Sequence, residues 1–214
     1  MSKKTMPPSR YARKSATRTD SRLVFACEGS NTEVLYFEGV RRKNKKRSID
    51  ILVLKRSEQE TGFSAPKYVV EQINKAKKAK KVLASDEFFV VLDRDCGSTS
   101  LQALRDCEQE CRDRNHSLVV SNPCFEIWLL LHVKDLNEFS EEEKALILEN
   151  REGYVKALLR AEMGGYNPSN PQIDNFWPHT KRAIDQAKSL DVNERDLWPE
   201  EIGTRVYKIL ERIF

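Results

Sequence analysis

The sequence lacks a phosphate loop of either common kind: neither GxxxxGK[ST] nor GxGxxG occurs. That argues against ATP hydrolysis by this chain. Its five cysteines are an odd number and form no CxxC pair, which argues against a disulfide framework and against a zinc ribbon. The three histidines, His116, His132 and His179, lie far apart with no HxxxH or HxH spacing. No Ser-His-Asp or Cys-His triad stands out by spacing. No apolar run approaches the ~20 residues of a membrane span. The N-terminus is basic and polar, without the apolar core of a signal peptide. A soluble, cytoplasmic protein is the expectation.

What is present is charge, unevenly distributed. Charged residues make up 33% of the 214 positions, and the formal net charge is +4. Residues 1–47 hold 13 Lys/Arg against 4 Asp/Glu, whereas the remainder holds 24 against 29. A basic front on an acidic body suits a polyanionic partner; the plainer reading is a solvated tail. Residues 1–21, rich in Lys, Arg, Ser and Thr, read as a flexible basic arm.

Beyond the arm, apolar runs and helical periodicities alternate. Strands are predicted at 23–27, 49–54, 88–95 and 117–120. Helices are predicted after Ser30-Asn31-Thr32-Glu33, which reads as a capping box, and over 68–81 and 101–114. Asn122-Pro123 reads as cap and first helical residue of an apolar helix through Leu131. The alternation implies an α/β fold: a parallel sheet of about four strands, right-handed crossovers, and helices on both faces. Residues 22–134 would form this core. Residues 135–214, with further amphipathic helices only, would form a helical extension packed on it.

In such a sheet, ligands lie at the carboxyl ends of the strands. Glu28 follows the first predicted strand. Asp93 and Asp95 end the third, one residue apart and so on one side if the chain stays extended. Glu126 lies early in the helix leaving the fourth strand, with Asn122 four residues earlier. Carboxylates crowded beside apolar strands repel one another and resist desolvation. Hard oxygen ligands of this kind suit Mg²⁺ or Mn²⁺ rather than zinc. Each also has a structural reading: a turn for Glu28, caps or pairing with Arg94 and Arg105 for the aspartates, the capping box for Glu33. Glu33 and Asn122 are second-tier candidates. His132, near a helix end, would favour the dipole if protonated. Cys107 and Cys111 read as small apolar residues of a helix's inner face. The run Arg41, Arg42, Lys43, Lys45, Lys46 and Arg47 would grip nucleic-acid phosphates; part of it also complements a helix dipole.

The strings Glu28-Gly29 and Asp93-x-Asp95, each after a strand, resemble the Toprim domain of topoisomerases, primases and OLD-type nucleases. CEGSNTEVLYFEGV, VVLDRD, SNPCFEIWLLLHV and the segment Gly203–Tyr207 together resemble the RloB family, small Toprim-like proteins of restriction and phage-defence loci. The resemblance runs from about residue 22 to the end. It implies a Toprim-like core and a metal-dependent nuclease acting on DNA or RNA, tRNA among the candidates, working with a partner ATPase. By the resemblance Glu28 matches the general acid/base or ligand, Asp93 and Asp95 the metal-binding pair, and Glu126 the acid of the SNPCFE-type motif. No tyrosine is placed to act as a nucleophile, so strand passage is not implied. The rival readings are a non-catalytic subunit binding nucleic acid or an ATPase, and an enzyme synthesising a nucleotide signal.

Overall fold

The computed structural model describes residues 22–55, 65–94, 100–167 and 170–214. Five strands form one sheet: β1 (Arg22–Cys27), β2 (Asp50–Val53), β3 (Glu87–Asp93), β4 (Ser117–Asn122) and β5 (Gly203–Thr204). Their order is β2-β1-β3-β4-β5, with the first four parallel and β5 antiparallel to β4. The central strands are buried on both faces, which is why RLVFAC and EFFVVLD read as continuous apolar runs rather than alternating ones. Between them run α1 (Thr32–Lys43), α2 (Pro66–Lys78) and α3 (Leu101–Asp113).

Strand parity divides the core. Val24, Ala26, Phe88, Val90 and Leu92 face α2 and α3, in a cluster with Val69, Ile73, Leu104, Cys107 and Cys111. Leu23, Phe25, Cys27, Phe89 and Val91 face the other way, toward α1 and the helix α4 (Glu126–Val133). The second layer is the larger one. It also takes in α5 (Glu141–Glu149), α6 (Tyr154–Glu162), α7 (Ile173–Phe176), α8 (Thr180–Leu190) and α9 (Tyr207–Ile213). Phe25 stacks on Phe37 of α1 with ring centroids 4.6 Å apart, and Trp128 of α4 is fully buried. Cys27, Cys107, Cys111 and Cys124 are all buried thiols, so the two helical cysteines pack as expected; Cys96 lies outside the described residues.

Three local expectations are corrected. The segment after residue 135 is not helical throughout, because Gly203-Thr204 adds the fifth strand. Asn122-Pro123 does not open a helix. β4 continues through Asn122, which pairs with Gly203, and α4 begins only at Glu126. The Asn122 amide instead lies 2.9–3.1 Å from the carbonyl oxygens of Pro199, Glu200 and Glu201. Those partners are some eighty positions away, which no local pattern reveals. Arg94 grips the same segment, through the Glu200 carbonyl at 2.5 Å and its carboxylate at 2.8 Å. His132 is the third correction. It is 1% exposed, with Nδ1 2.8 Å from the Trp128 carbonyl; burial pulls its pKa down to about 4, so the ring is neutral at pH 7.

The C-terminal elements are tied down by a buried ion pair. Asp191 accepts from Arg205 Nε and Nη2 at 3.0 Å each and from the Tyr207 hydroxyl at 2.9 Å. Burial pushes the Asp191 carboxyl up, but the Arg205 and Tyr207 hydrogen bonds, with the Arg205 and Lys208 charges, outweigh it and hold the pKa low. Removing one partner of such a pair strands the other's charge. Asp191→Ala is therefore expected to lose about 3–5 kcal/mol in urea unfolding, whereas Glu194→Ala, at the exposed end of the same group, should lose about 0–1 kcal/mol.

Candidate active site

Four carboxylates meet at the carboxyl edge of the sheet. Glu28 follows β1 directly, and its two ends are both fixed to β3. Its N–H donates to the Val91 carbonyl at 2.9 Å, and its Oε2 accepts from the Asp93 N–H at 3.1 Å. Asp93 ends β3 and continues the parity of Phe89 and Val91, toward the layer of α1 and α4. Both helices begin here, and each brings an acid in its first turn: Glu33 in α1 and Glu126 in α4. Helix N-termini carry partial positive charge, which eases the placement of acids beside them.

Glu33 does not complete a capping box. Asn31 is the N-cap of α1 and makes no side-chain cap bond. The Glu33 carboxylate reaches back instead to the Gly29 N–H at 3.0 Å. A β-carbon on Gly29 would lie 2.0 Å from Glu33 Oε2, so glycine at 29 is what leaves room for this carboxylate. Glu33 therefore belongs to the site.

The electrostatics record how closely the acids crowd. Burial pushes the Asp93 carboxyl well up, and the charges of Glu33, Glu126 and Glu28 push further, while the Phe125 N–H opposes. Glu33 is likewise raised, by burial first and then by Glu126, against its backbone hydrogen bonds. The Cys124 thiol is held well above its ordinary value by burial and by the Glu126 and Asp93 charges.

Two residues from beyond position 134 complete the rim. Lys156 of α6 brings its ammonium 3.7 Å from Glu126 Oε1, with half its side chain exposed. Its pKa is raised, by Glu126 first and also by Asp93 and Glu33. The Tyr166 phenol is pushed up by burial and then by Glu126 and Glu33, which puts it beside the same acids. No sequence signal marked either residue, since each reaches the site only through the packing of the helical extension on α4.

Of the other sequence candidates, Asp95 lies outside the described residues. Asn122 holds the 199–201 segment, as described above. The run 41–47 lies elsewhere: α1 starts at the carboxyl edge and rises about 18 Å over its length, so Arg41 to Arg47 sit at the opposite, amino edge of the sheet. There Arg41 pairs with Glu38, Lys43 pairs with Asp174, and Lys46 bonds to the Arg212 carbonyl.

A hard divalent cation can be tested against this donor set. All the acids are oxygen donors, and Asp93 and Glu33 carry repulsion that a cation would relieve; both suit Mg²⁺ or Mn²⁺. Among the described residues, however, no group of three or more His, Cys, Asp or Glu is drawn together tightly enough to hold a metal ion. The chemistry of the donors fits, and the described carboxylates stand around the position as an open set.

A carboxyl whose pKa is raised by folding destabilises the folded state at high pH, and that cost vanishes below the unfolded pKa. Glu33→Gln, which keeps an acceptor for the Gly29 N–H, should therefore raise Tm at pH 8 by about 2–4 °C for each kcal/mol relieved. The gain should shrink as pH falls and disappear below the ordinary value of 4.5. Thermal unfolding of both proteins from pH 4 to 8 checks this.

No curated protein and no solved structure matches the chain. A family model described as RloB-like protein matches residues 23–213. That span takes in the sheet, the described acids at its carboxyl edge, and the C-terminal segment that supplies Lys156 and Tyr166. The chain thus belongs to the RloB-like protein family.

Proposed function

We propose that the protein is a metal-dependent nuclease of Toprim type, hydrolysing phosphodiester bonds in DNA or RNA, with tRNA among the candidate substrates. The observation that carries this reading is the convergence of Glu28, Glu33, Asp93 and Glu126 from three strand–helix connections onto one sheet edge, with the Asp93 carboxyl pushed up by burial and then by the other three. Glu28-Gly29 after β1 and Asp93 after the neighbouring β3 fit the arrangement that the family resemblance implies. Glu28, Asp93 and Asp95 are the residues that would hold Mg²⁺ or Mn²⁺. Such a cation supplies charge neutralisation at a phosphate and acidity to water.

The chain's own groups divide the remaining work. Glu28, held in place through both its N–H and its carboxylate, is the candidate to move a proton. Lys156, poised at the rim by Glu126, offers positive charge to a phosphate oxygen that the acids would otherwise repel. Glu126 positions that ammonium. The resemblance adds a cytoplasmic setting in phage defence, with abortive infection as an outcome and an ABC- or AAA-type ATPase as partner. The lack of any phosphate loop in this chain is consistent with ATP being handled by a second protein.

A second reading is a non-catalytic subunit that binds nucleic acid or the ATPase through the same fold. Incubating the purified chain with tRNA, single-stranded DNA and duplex DNA, with and without Mg²⁺ or Mn²⁺, separates the two. The nuclease reading expects metal-dependent cleavage that Asp93→Asn lowers about 10²-fold or more, and that Lys156→Met lowers about 10-fold or more, as loss of a charge aimed at the reacting phosphate does. Cleavage unaffected by Asp93→Asn, or binding with no cleavage when the ATPase partner is also supplied, would overturn it.

A further inference from the structure

The amino edge of the sheet carries a second, oppositely charged surface. Two runs supply it. Six of the seven residues from Arg41 to Arg47 are Lys or Arg, and so are five of the seven from Lys75 to Lys81. The first spans the end of α1 and the second the end of α2, because both helices return antiparallel to the strands. Specific contacts tie each run to the strand starts, one on either face of the sheet. Arg22, at the start of β1, pairs with Asp50 at the start of β2 at 2.9 Å, and also donates to the Lys81 carbonyl at 3.3 Å. Lys46 donates to the Arg212 carbonyl, and Arg212 forks onto Glu87 at the start of β3 at 2.7 Å through each nitrogen. Lys77 lies 2.9 Å from His116, just before β4. Every strand start from β2 to β4 is therefore edged by cations, over about 15 Å at ordinary strand spacing.

Helix dipoles explain only part of this. They favour cations in a last turn, which covers Arg41, Arg42 and Lys43 in α1 and Lys75, Lys77 and Lys78 in α2. Lys45, Lys46, Arg47, Lys80 and Lys81 lie beyond the helix ends. Lys80 even occupies a left-handed position, φ 54°, where Gly or Asn is the usual residue. No carboxylate among the described residues pairs with Lys45, Arg47, Lys78, Lys80 or Lys81, and all five are exposed.

A cleft also opens beside the edge strand β2. The cleft, of about 620 Å³, lies between β2 and α2, with Arg22, Lys55, Lys75 and Lys81 on its walls and no acid among the residues lining it. Gln72 lines it too, and both atoms of its amide are buried with no hydrogen-bond partner among the described residues.

We infer that this edge is a docking face for the phosphate backbone of a nucleic acid, distinct from the carboxylate site. Exposed cations of this density, with no carboxylate paired to them among the described residues, suit the phosphates of a polyanion. The charges also orient the encounter: the carboxyl edge repels a polyanion while the amino edge attracts it. β3 alone separates the two edges by about 20 Å. A backbone bound at the amino edge is therefore held without its phosphates being presented to Glu28 and Asp93. The inference goes beyond the nuclease reading and does not depend on it, since binding needs no chemistry at the acids.

The test is fluorescence anisotropy with a labelled duplex DNA of about 30 base pairs, roughly three helical turns, and a labelled RNA hairpin, in EDTA so that cleavage plays no part. Two surface variants of the full chain are compared with the wild type: Lys78→Gln/Lys80→Gln/Lys81→Gln and Arg42→Gln/Lys45→Gln/Arg47→Gln. Far-UV circular dichroism and Tm should match the wild type, because these side chains are exposed. Each variant is expected to bind about tenfold or more weakly, with the slope of log K against log salt reduced by about 0.9 for each phosphate that is no longer neutralised. Unchanged affinity and slope in both variants would overturn the inference. So would binding lost only when the Lys and Arg of residues 1–21 are neutralised, or equal competition by polyglutamate, which would point to an acidic protein instead.

Discussion

Parallel pairing of β2, β1, β3 and β4 is the constraint from which the rest follows. Each connection must cross the molecule to begin the next strand from the same side. Each of α1, α2 and α3 therefore starts at the carboxyl edge and ends at the amino edge, and α4 starts at the carboxyl edge after β4. The sequence places acids at the helix starts, Glu33 and Glu126, and lysines and arginines at the ends of α1 and α2. One topological rule thus sorts scattered charges into two opposed faces, about 20 Å apart along β3. The modest net charge of +4 conceals that polarity.

The acidic face is maintained against its own repulsion. Asp93 and Glu33 are both pushed toward protonation by burial and by their neighbours, a state that an optimised core would avoid. The surrounding fold holds them nonetheless. β1 and β3 are paired along their length, the Glu28 carboxylate is bonded to the Asp93 backbone, and Gly29 leaves room for Glu33. Stability given up at one place and secured elsewhere is what functional sites commonly show. The buried pair of Asp191 with Arg205 is one source of that security, because it anchors the segment that leads into α9 and, through β5, the edge of the sheet.

The fold was largely legible because its signals are local. EFFVVLD and RLVFAC are continuous apolar runs, and the helices over 66–78 and 101–113 show a clear inner face. The misreadings share one cause. Asn122-Pro123 has the local chemistry of a helix start, yet the Asn122 side chain is satisfied by carbonyls at 199–201 and its backbone by Gly203. Ser30 to Glu33 has the spacing of a capping box, yet the Glu33 carboxylate goes to Gly29. Arg94, between two aspartates in sequence, is turned to Glu200. His132 has a helix-end position that favours a charge, yet the rings of Tyr36, Trp128 and Phe176 surround it, and burial keeps it neutral. For Asn122, Arg94 and His132 a long-range partner or burial outcompeted the nearby one; Glu33 exchanged one local partner for another four residues away.

By itself, the sequence determined the alternation of strands and helices, the carboxyl-edge position of Glu28, Asp93 and Glu126, and the presence of a basic run after α1. These depend on periodicity and on residues adjacent to an element's end, where chain direction alone sets position. Only the tertiary structure decided that Lys156 and Tyr166 border the acids, that Glu33 joins them, and that the cations of 41–47 and of 75–81 both lie at the far edge, on opposite faces of the sheet. Such assignments depend on which surfaces pack together. Packing is settled by the summed burial of two helical layers on one sheet, and no short stretch of chain encodes that sum.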